Sequence, residues 1–212
     1  MSERRASEAV GTGRLPEGAR FAVLASGGGT NLQALIDAYP GELAVVAGDR
    51  ADAHAFERAR LAGIPVEHVD PGGFGGREEF DAELAERIAA HDVGLVVGAG
   101  YMRMLSGGFL SRFQDMINVH PSLLPEFKGL RAVERALEAG VTETGVTVHY
   151  VTEEVDSGPI ISQERVPVHA DDTAQTLLER VHLAEHRLLV GAVADHFRGR
   201  APGGSPGGRA PG

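Results

Sequence analysis

The chain has 212 residues, no cysteine and a formal net charge of -10 at pH 7. A chain of this length forms one domain or at most two small ones, with a core that needs no covalent staple. The missing cysteines exclude disulfides, thiolate metal sites and a cysteine nucleophile, and they are typical of a reducing compartment. The acidic charge argues against a nucleic-acid partner. No apolar run is long enough to span a membrane, so we predict a cytoplasmic protein without a membrane partner.

Low-complexity sequence marks both ends of the chain. Residues 1–19 mix charged residues, Gly and Pro without periodicity, and residues 201–212 are rich in Gly and Pro. Such composition is typical of disordered segments. We therefore predict a disordered extension at residues 1–19, a single domain at residues 20–200 and a disordered tail at residues 201–212.

The first half of that domain alternates strand-like and helix-like segments. Strands are predicted at residues 20–25, 43–47, near 66 and at 93–98, with helices at residues 31–38, 51–62 and 77–91. This order predicts an α/β fold of the Rossmann type, with a mostly parallel twisted sheet flanked by helices. Ligands of such sheets bind at the carboxyl ends of the strands, near the point where the strand order reverses.

The pattern changes in the second half. A helix near residues 107–113 precedes a strand through residues 116–120. Apolar and polar residues then alternate strictly at residues 145–151. A D-x-G-P turn separates this segment from a second strand-like segment at residues 160–166. These features predict a C-terminal antiparallel hairpin with one face on the core. A closing helix is predicted at residues 173–197.

A glycine loop follows the first strand at residues 26–33, SGGGTNLQ. Glycines allow close backbone approach, and Thr30 and Asn31 offer donors at a helix N-terminus, where the helix dipole favours an anion such as phosphate. The loop is neither a Walker A motif nor a full dinucleotide fingerprint, since Leu32 occupies the position of the third glycine. The same residues also fit a tight strand-to-helix turn capped by Thr30.

Polar residues alternate with apolar ones in the stretch Met116–Pro125, MINVHPSLLP. Asn118 and His120 lie two apart on a predicted strand, so their side chains project from the same face. They would meet at the end of the strand as a neutral donor and a titratable imidazole. For an isolated pair, the better interpretation is that backbone partners satisfy both side chains.

Asp156 lies in an acidic hairpin turn that would normally be solvated. Gly158 and Pro159 restrict the backbone beside it, so this carboxylate is a candidate to fold inward. A carboxylate near an imidazole raises the pKa of that imidazole and orients it. His149, Arg77 and Glu185 carry no distinguishing pattern by themselves, and on residue pattern alone a structural role is the better interpretation of each.

Taken together, the motifs SGGGTNL, GYMRML, NVHPSLLP, GVTVHYV and VDSGPII resemble those of the phosphoribosylglycinamide formyltransferases, over residues 20–200. The Asn-x-His-Pro-Ser-Leu-Leu-Pro stretch followed by Asp-x-Gly is shared by the wider formyltransferase superfamily. The Ser-Gly-x-Gly-Thr-Asn loop is specific to the glycinamide branch. Methionyl-tRNA formyltransferases are similar in the catalytic half only, and they carry a further C-terminal domain.

The resemblance implies four sets of site residues. They are a catalytic set of Asn118, His120 and Asp156; a substrate phosphate site at Gly29, Thr30 and Asn31; a ribose contact at Glu185; and a folate site at Arg77, Met102, Arg103, Met104, Leu105 and Asn118. Lys128, His182 and Gly107 depart from the usual pattern, which leaves the finer substrate contacts open.

The implied reaction is transfer of a formyl group from 10-formyltetrahydrofolate, as co-substrate, to the amine of 5'-phosphoribosylglycinamide in de novo purine biosynthesis. Direct transfer needs no protein nucleophile and no metal, and the partners would be small molecules. The chain would be a monomer or homodimer. Three alternatives remain open at this stage: a formyltetrahydrofolate hydrolase, a nicotinamide-dependent dehydrogenase with Asp49 as its ribose ligand, and a non-catalytic phosphometabolite-binding domain.

Overall fold

Seven strands form one sheet in a computed structural model that describes residues 14–199. The strands are β1 (Phe21–Leu24), β2 (Leu43–Gly48), β3 (Val66–His68), β4 (Leu95–Gly98), β5 (Met116–His120), β6 (Glu143–Tyr150) and β7 (Ile160–Pro167). The helices are α1 (Thr30–Ala38), α2 (His54–Leu61), α3 (Arg77–Ala89), α4 (Gly107–Arg112), α5 (Ala132–Glu138) and α6 (Ala174–Phe197), with a 3₁₀ turn at Pro71–Gly73.

The sheet order is β3-β2-β1-β4-β5-β6-β7. Strands β1 to β5 run parallel, whereas β6 and β7 are antiparallel to their neighbours. The predicted α/β fold with an antiparallel C-terminal hairpin is therefore confirmed. Strand order reverses between β1 and β4, and the loops that follow these strands are joined by a bond of 3.2 Å from the Ser26 N–H to the Gly100 carbonyl. A ligand crevice is expected at this point of the sheet.

Each face of the sheet carries its own apolar layer. Helices α1, α2 and α6 cover one face, where the hydroxyl of Tyr39 also donates to the Val190 carbonyl at 2.9 Å. Helices α3 and α4 cover the other face, through the buried side chains of Phe80, Leu84 and Phe109. Because both faces are covered, the central strands are buried throughout, as is usual for parallel sheets.

The packed part of the chain begins before the predicted boundary at residue 20, because Leu15 is buried in the first apolar layer. The rest of the predicted N-terminal extension, residues 1–13, and the predicted tail lie outside the described residues. Within residues 14–199, none of the helices combines the length and apolar character needed to cross a membrane.

Two local features differ from the sequence expectation. Helix α5 was not predicted, although it buries Ala132, Val133 and Ala136 at helical spacing and is followed by Gly140 in a left-handed conformation. Strand β6 was predicted to bury one face, but every residue after Glu143 in it is buried. The polar side chains that alternate along this strand therefore face the protein interior rather than solvent.

Candidate active site

The carboxyl end of β5 carries the two polar side chains singled out in the sequence. Asn118 lies opposite Gly98 of β4 and opposite His149 of β6 in the sheet register. A Cβ at Gly98 would lie 2.7 Å from Asn118 Oδ1, so glycine at this position makes room for the amide. On the other side, Asn118 Nδ2 is 3.5 Å from His149 Nε2. The amide is thus held between two strands.

His120 is buried, with 5% of its surface exposed, and both of its ring nitrogens have partners. Nε2 lies 3.0 Å from the Phe127 carbonyl oxygen, and Nδ1 lies 3.3 Å from Asp156 Oδ2. Both partners accept hydrogen bonds, so this arrangement matches the doubly protonated imidazolium.

Burial and charge act in opposite directions on this imidazole. Burial lowers the pKa of His120, while the Asp156 carboxylate and the Phe127 carbonyl raise it, and the pKa ends below its ordinary value. The expected upward influence of Asp156 is therefore present but outweighed by desolvation. His120 is consequently an acid that gives up its proton readily.

Asp156 is folded inward, as predicted for this turn, and its side chain is only 11% exposed. The residue adopts a left-handed conformation with a φ of 46°, and its Oδ2 accepts a 2.7 Å hydrogen bond from the Gly129 N–H. Burial raises the pKa of Asp156, but hydrogen bonds from His149 and Gly129 and the charges of the two imidazoles bring it below the usual value. The carboxylate is therefore kept ionised beside His120.

Lys128, one of the departures from the family pattern, adds a second contact beside the hydrogen bond between Gly129 and Asp156. Its ammonium donates to the hydroxyl of Ser157. Neighbouring residues of one loop, Lys128 and Gly129, thus bind neighbouring residues of the other, Ser157 and Asp156. We call this pair of contacts the latch.

His149 belongs to the same cluster, although sequence reasoning assigned it a structural role. Its Nδ1 lies 2.8 Å from the Tyr150 carbonyl, which only accepts, so Nδ1 carries a proton. Its Nε2 lies 3.5 Å from both Asn118 Nδ2 and Asp156 Oδ1. Neutral His149 can accept from the amide, and protonated His149 can donate to the carboxylate. His149 therefore links the amide to the carboxylate and completes a chain of four side chains.

A second group of residues forms around the glycine loop. Gly29 precedes α1 in a left-handed conformation with a φ of 72°, and a Cβ there would lie 2.8 Å from the Cα of Ala55. Thr30 is the first helical residue and no side chain caps the helix, so the alternative of a Thr30 cap is wrong. Free N–H groups at such a helix start suit an anion.

Asn31 and Glu185, which the sequence pattern left unconnected, are brought together here. Asn31 Nδ2 donates to Glu185 Oε2 at 3.0 Å, and within residues 14–199 the buried Asn31 Oδ1 has no partner. Burial raises the pKa of Glu185 to about 7, against the lowering effect of the Asn31 bond. His182, another departure from the family pattern, places its Nε2 3.9 Å from Glu185 Oε2. A ligand with hydroxyl donors would satisfy both acceptors.

The segment after β4 forms an exposed apolar rim. Met102 and Met104 are 66% and 47% exposed, whereas Leu105 packs against the second apolar layer. The guanidinium of Arg103 lies 5.0 Å from the centre of the Phe80 ring in α3. Arg77 is the exposed first residue of the same helix, three positions before Phe80. The rim therefore combines apolar and cationic groups beside the strand ends.

Asp49, which follows β2, has a partner within the protein. Its Oδ1 accepts a 2.7 Å hydrogen bond from the Ser26 hydroxyl, and that hydroxyl in turn accepts from the Met102 N–H at 3.2 Å. The carboxylate thus braces the glycine loop against the rim. Because the Asp49 carboxylate is already hydrogen-bonded to Ser26, it is a poor candidate for the ribose ligand of a nicotinamide-dependent dehydrogenase.

Comparisons with known proteins agree with this architecture. The formyl transferase family matches residues 19–193. The phosphoribosylglycinamide formyltransferase of Escherichia coli is 44% identical over 84% of this chain and 87% of its own length. The trifunctional purine biosynthetic protein adenosine-3 of Bos taurus is 47% identical over 84% of this chain, but the chain spans only 18% of the length of that relative.

Solved structures give the same result. The crystal structure of glycinamide ribonucleotide transformylase 1 from Symbiobacterium toebii superposes with a TM-score of 0.84 at 49% identity, covering 86% of this chain and 89% of that one. The similarity extends over nearly all of the described residues, in both the parallel and the antiparallel parts of the sheet. This chain is a member of the formyl transferase family.

Proposed function

We propose that this chain transfers the formyl group of 10-formyltetrahydrofolate to the amine of 5'-phosphoribosylglycinamide, giving formylglycinamide ribonucleotide and tetrahydrofolate in de novo purine biosynthesis. The observation that carries the proposal is the unbroken set of contacts from Asn118 through His149 and Asp156 to His120. The relatives named as phosphoribosylglycinamide formyltransferases support the choice of substrate.

In the proposed reaction the neutral amine attacks the formyl carbon, so that a carbon–nitrogen bond forms and the carbonyl oxygen becomes an oxyanion. One N–H of the Asn118 side chain faces His149, which leaves the other to donate to the oxyanion. Donors of this kind are worth about 3 kcal/mol in a preorganised site. Collapse of the intermediate then breaks the bond to the folate nitrogen.

His120 would turn its Nε2 from the Phe127 carbonyl to the leaving nitrogen, give that nitrogen a proton and take one back from the attacking amine, so that the protons balance. The lowered pKa of His120 favours release of that proton, while the ionised Asp156 holds the imidazolium in place. Binding both substrates at one site supplies much of the remaining acceleration, because a bimolecular step becomes intramolecular. No covalent intermediate on the protein is required.

The two substrates would occupy neighbouring parts of the crevice. The phosphate would bind at Gly29, Thr30 and Asn31, and the ribose hydroxyls at Glu185, whose oxygens and the unpartnered Asn31 Oδ1 are acceptors. The folate would contact the rim, where exposed methionines suit an aromatic ring system and the guanidinium groups of Arg103 and Arg77 suit its carboxylates. A cytoplasmic location and a monomeric or homodimeric state stay predictions.

An assay with purified protein tests the proposal. With 10-formyltetrahydrofolate present, tetrahydrofolate should appear only when phosphoribosylglycinamide is added. Release that does not depend on the amine would instead identify a hydrolase. Absence of release would contradict both enzymatic assignments.

Two substitutions localise the activity. His120→Ala should reduce turnover by about 10²- to 10⁴-fold, the range found for positioned acids and bases. His169→Ala is the matched control, because His169 is an exposed histidine outside the cluster. A His120→Ala variant with near-normal turnover would refute the assigned site even if the wild-type protein is active.

A further inference from the structure

Arg58 of α2 contacts the glycine loop, although neither the sequence pattern nor the proposed reaction assigns it a role. Its Nε donates to the Gly28 carbonyl at 2.9 Å, and its Nη1 donates to Gln33 Oε1 at 3.1 Å. One turn earlier in the sequence, the Ala55 N–H donates to the Gly27 carbonyl at 3.1 Å. Helix α2 therefore binds two successive carbonyl groups of the loop.

These two bonds fix the direction of the loop's N–H groups. In a planar trans peptide, the carbonyl and the N–H point to opposite sides. Because the carbonyls of Gly27 and Gly28 point towards α2, the N–H groups of Gly28 and Gly29 point away from it. Within residues 14–199 neither of these N–H groups donates to a protein acceptor. They are directed to the side of the loop that faces away from α2, and a Cβ at Gly28 would meet no atom within 4 Å.

The charge of Arg58 adds to this arrangement. A guanidinium keeps its proton under all ordinary conditions and binds planar acceptors through a rigid set of donors. A hydrogen bond from an ionised donor to a backbone carbonyl is stronger than a neutral one. In a chain with a net charge of -10, this cation also reduces the repulsion that an incoming phosphate meets.

We infer that Arg58 is a positioning residue for the substrate phosphate: by holding the Gly28 carbonyl, it keeps the glycine loop in the conformation that presents its N–H groups to the anion. The inference rests on the proposed function, since it takes the phosphate of phosphoribosylglycinamide as that anion. Arg58 acts through the loop, so its effect should depend on whether the substrate carries a phosphate.

The test compares Arg58→Met with Arg60→Met in steady-state kinetics. Arg60 lies on the same helix and is exposed, with its guanidinium 5.9 Å from the centre of the Phe56 ring, so its replacement removes the same charge without touching the loop. Loss of a charge-assisted hydrogen bond typically corresponds to about a 10- to 100-fold change in binding. We expect KM for phosphoribosylglycinamide to rise by that factor in Arg58→Met, with a much smaller change in kcat, and to stay normal in Arg60→Met.

A second substrate separates positioning from general stabilisation. Glycinamide riboside lacks the phosphate, so its kcat/KM should be nearly the same in the wild-type protein and in Arg58→Met. Arg58→Lys should recover part of the KM, because an ammonium can still donate to the Gly28 carbonyl. Equal losses with both substrates, or an Arg60→Met variant as impaired as Arg58→Met, would overturn the inference.

Direct binding keeps this test independent of the reaction. Calorimetric titration with ribose 5-phosphate and with ribose measures phosphate recognition whether or not formyl transfer occurs. An inactive wild-type protein whose phosphate-dependent binding is weakened by Arg58→Lys would refute the proposed reaction and support the role of Arg58. If Arg58→Met fails to fold, Arg58→Gln replaces it, because glutamine also removes the charge, and unchanged binding of ribose 5-phosphate by this folded variant would refute the role of Arg58.

Discussion

The glycine loop and the proposed catalytic cluster of Asn118, His120, His149 and Asp156 lie at the same end of the sheet but are built in different ways. The loop offers backbone N–H groups from one continuous stretch, oriented by contacts to the adjacent helix α2. The cluster uses side chains from β5, β6 and the turn before β7, and a loop between β5 and α5 holds them together. The first arrangement takes its donors from local sequence and only their orientation from a neighbouring helix, whereas the second exists only when distant segments pack.

This difference predicts different responses to substitution. Damage to the proposed catalytic cluster should appear in turnover, because in the proposed reaction its groups act on the reacting atoms. Damage to the loop and its neighbour Glu185 should appear in substrate binding and in stability, because these groups hold parts of the substrate that do not react. Four substitutions test that division.

The largest effect is expected for Asp156→Asn, with turnover reduced by about 10³-fold or more. Asp156 raises the pKa of His120 against the lowering effect of burial, so its neutralisation should lower that pKa further. His120 then loses its proton at a lower pH. Because the protonated form is the active acid, the basic limb of the pH profile of kcat/KM should move to lower pH. The measurement is the pH dependence of kcat/KM for the wild-type protein and for Asp156→Asn, over the pH range in which both remain folded. An unmoved limb would show that Asp156 does not act through His120.

A somewhat smaller loss, about 10- to 100-fold in kcat, is expected for His149→Phe. Phenylalanine fills the space but removes the link between Asn118 and Asp156, and loss of the one hydrogen bond that Nε2 makes, to the amide when neutral or to the carboxylate when protonated, accounts for a loss of this size. His149→Gln retains polar atoms and should recover part of the activity. If kcat is unchanged in His149→Phe, the imidazole only fills space between the strands.

For Gly29→Ala the effect should fall on KM for the phosphorylated substrate. The added Cβ would lie 2.8 Å from the backbone of Ala55, in a left-handed conformation that a side chain disfavours by about 1–3 kcal/mol. Gly63→Ala is the control, because Gly63 has the same φ of 72° outside the glycine loop and a Cβ there meets no atom within 4 Å. Steady-state kinetics and thermal unfolding of both variants are compared. A defect confined to kcat would contradict a binding role for the loop.

The smallest effect on turnover is expected for Glu185→Gln. This substitution should instead show that the buried charge of Glu185 destabilises the wild-type protein at high pH. The pKa of Glu185 is raised to about 7, so the stability linked to its protonation is present below the ordinary glutamate pKa and is lost as the pH rises through about 7. Glutamine removes the buried charge, so the unfolding temperature should rise by about 2–4 °C or more at pH 8 and hardly change at pH 5. Equal shifts at both pH values would contradict this explanation.

The sequence predicted most of the fold because the apolar periodicity of its strands and helices is strong. It also supplied the catalytic candidates, since Asn118 and His120 share one strand face, and the turn around Asp156 indicated an inward carboxylate. The contacts of Asp156 with Gly129 and with both imidazoles depend on how two loops meet, which no local pattern records.

His149 was missed for an instructive reason. Strict alternation in β6 indicated that its polar residues face solvent, but the hydroxyl of Thr147 accepts from the Leu124 N–H and donates to the Ser122 carbonyl, and His149 faces the catalytic cluster. Alternation thus indicates that the two faces of a strand differ chemically, but it does not show which face is exposed to solvent. Arg58 was missed because its partners are backbone carbonyls, which every sequence contains.

The latch described above has a further consequence, for the timing of the reaction. Hydrogen bonds from Lys128 and Gly129, together with the contacts of Asp156 to the two imidazoles, hold the turn that carries Asp156, while neighbouring Val155 is 43% exposed. Such a segment can open without disturbing the sheet, in local motions on the microsecond to millisecond scale. Typical turnover takes about a millisecond to a second. We therefore expect any opening of this turn to be completed within one catalytic cycle while the rest of the domain stays folded.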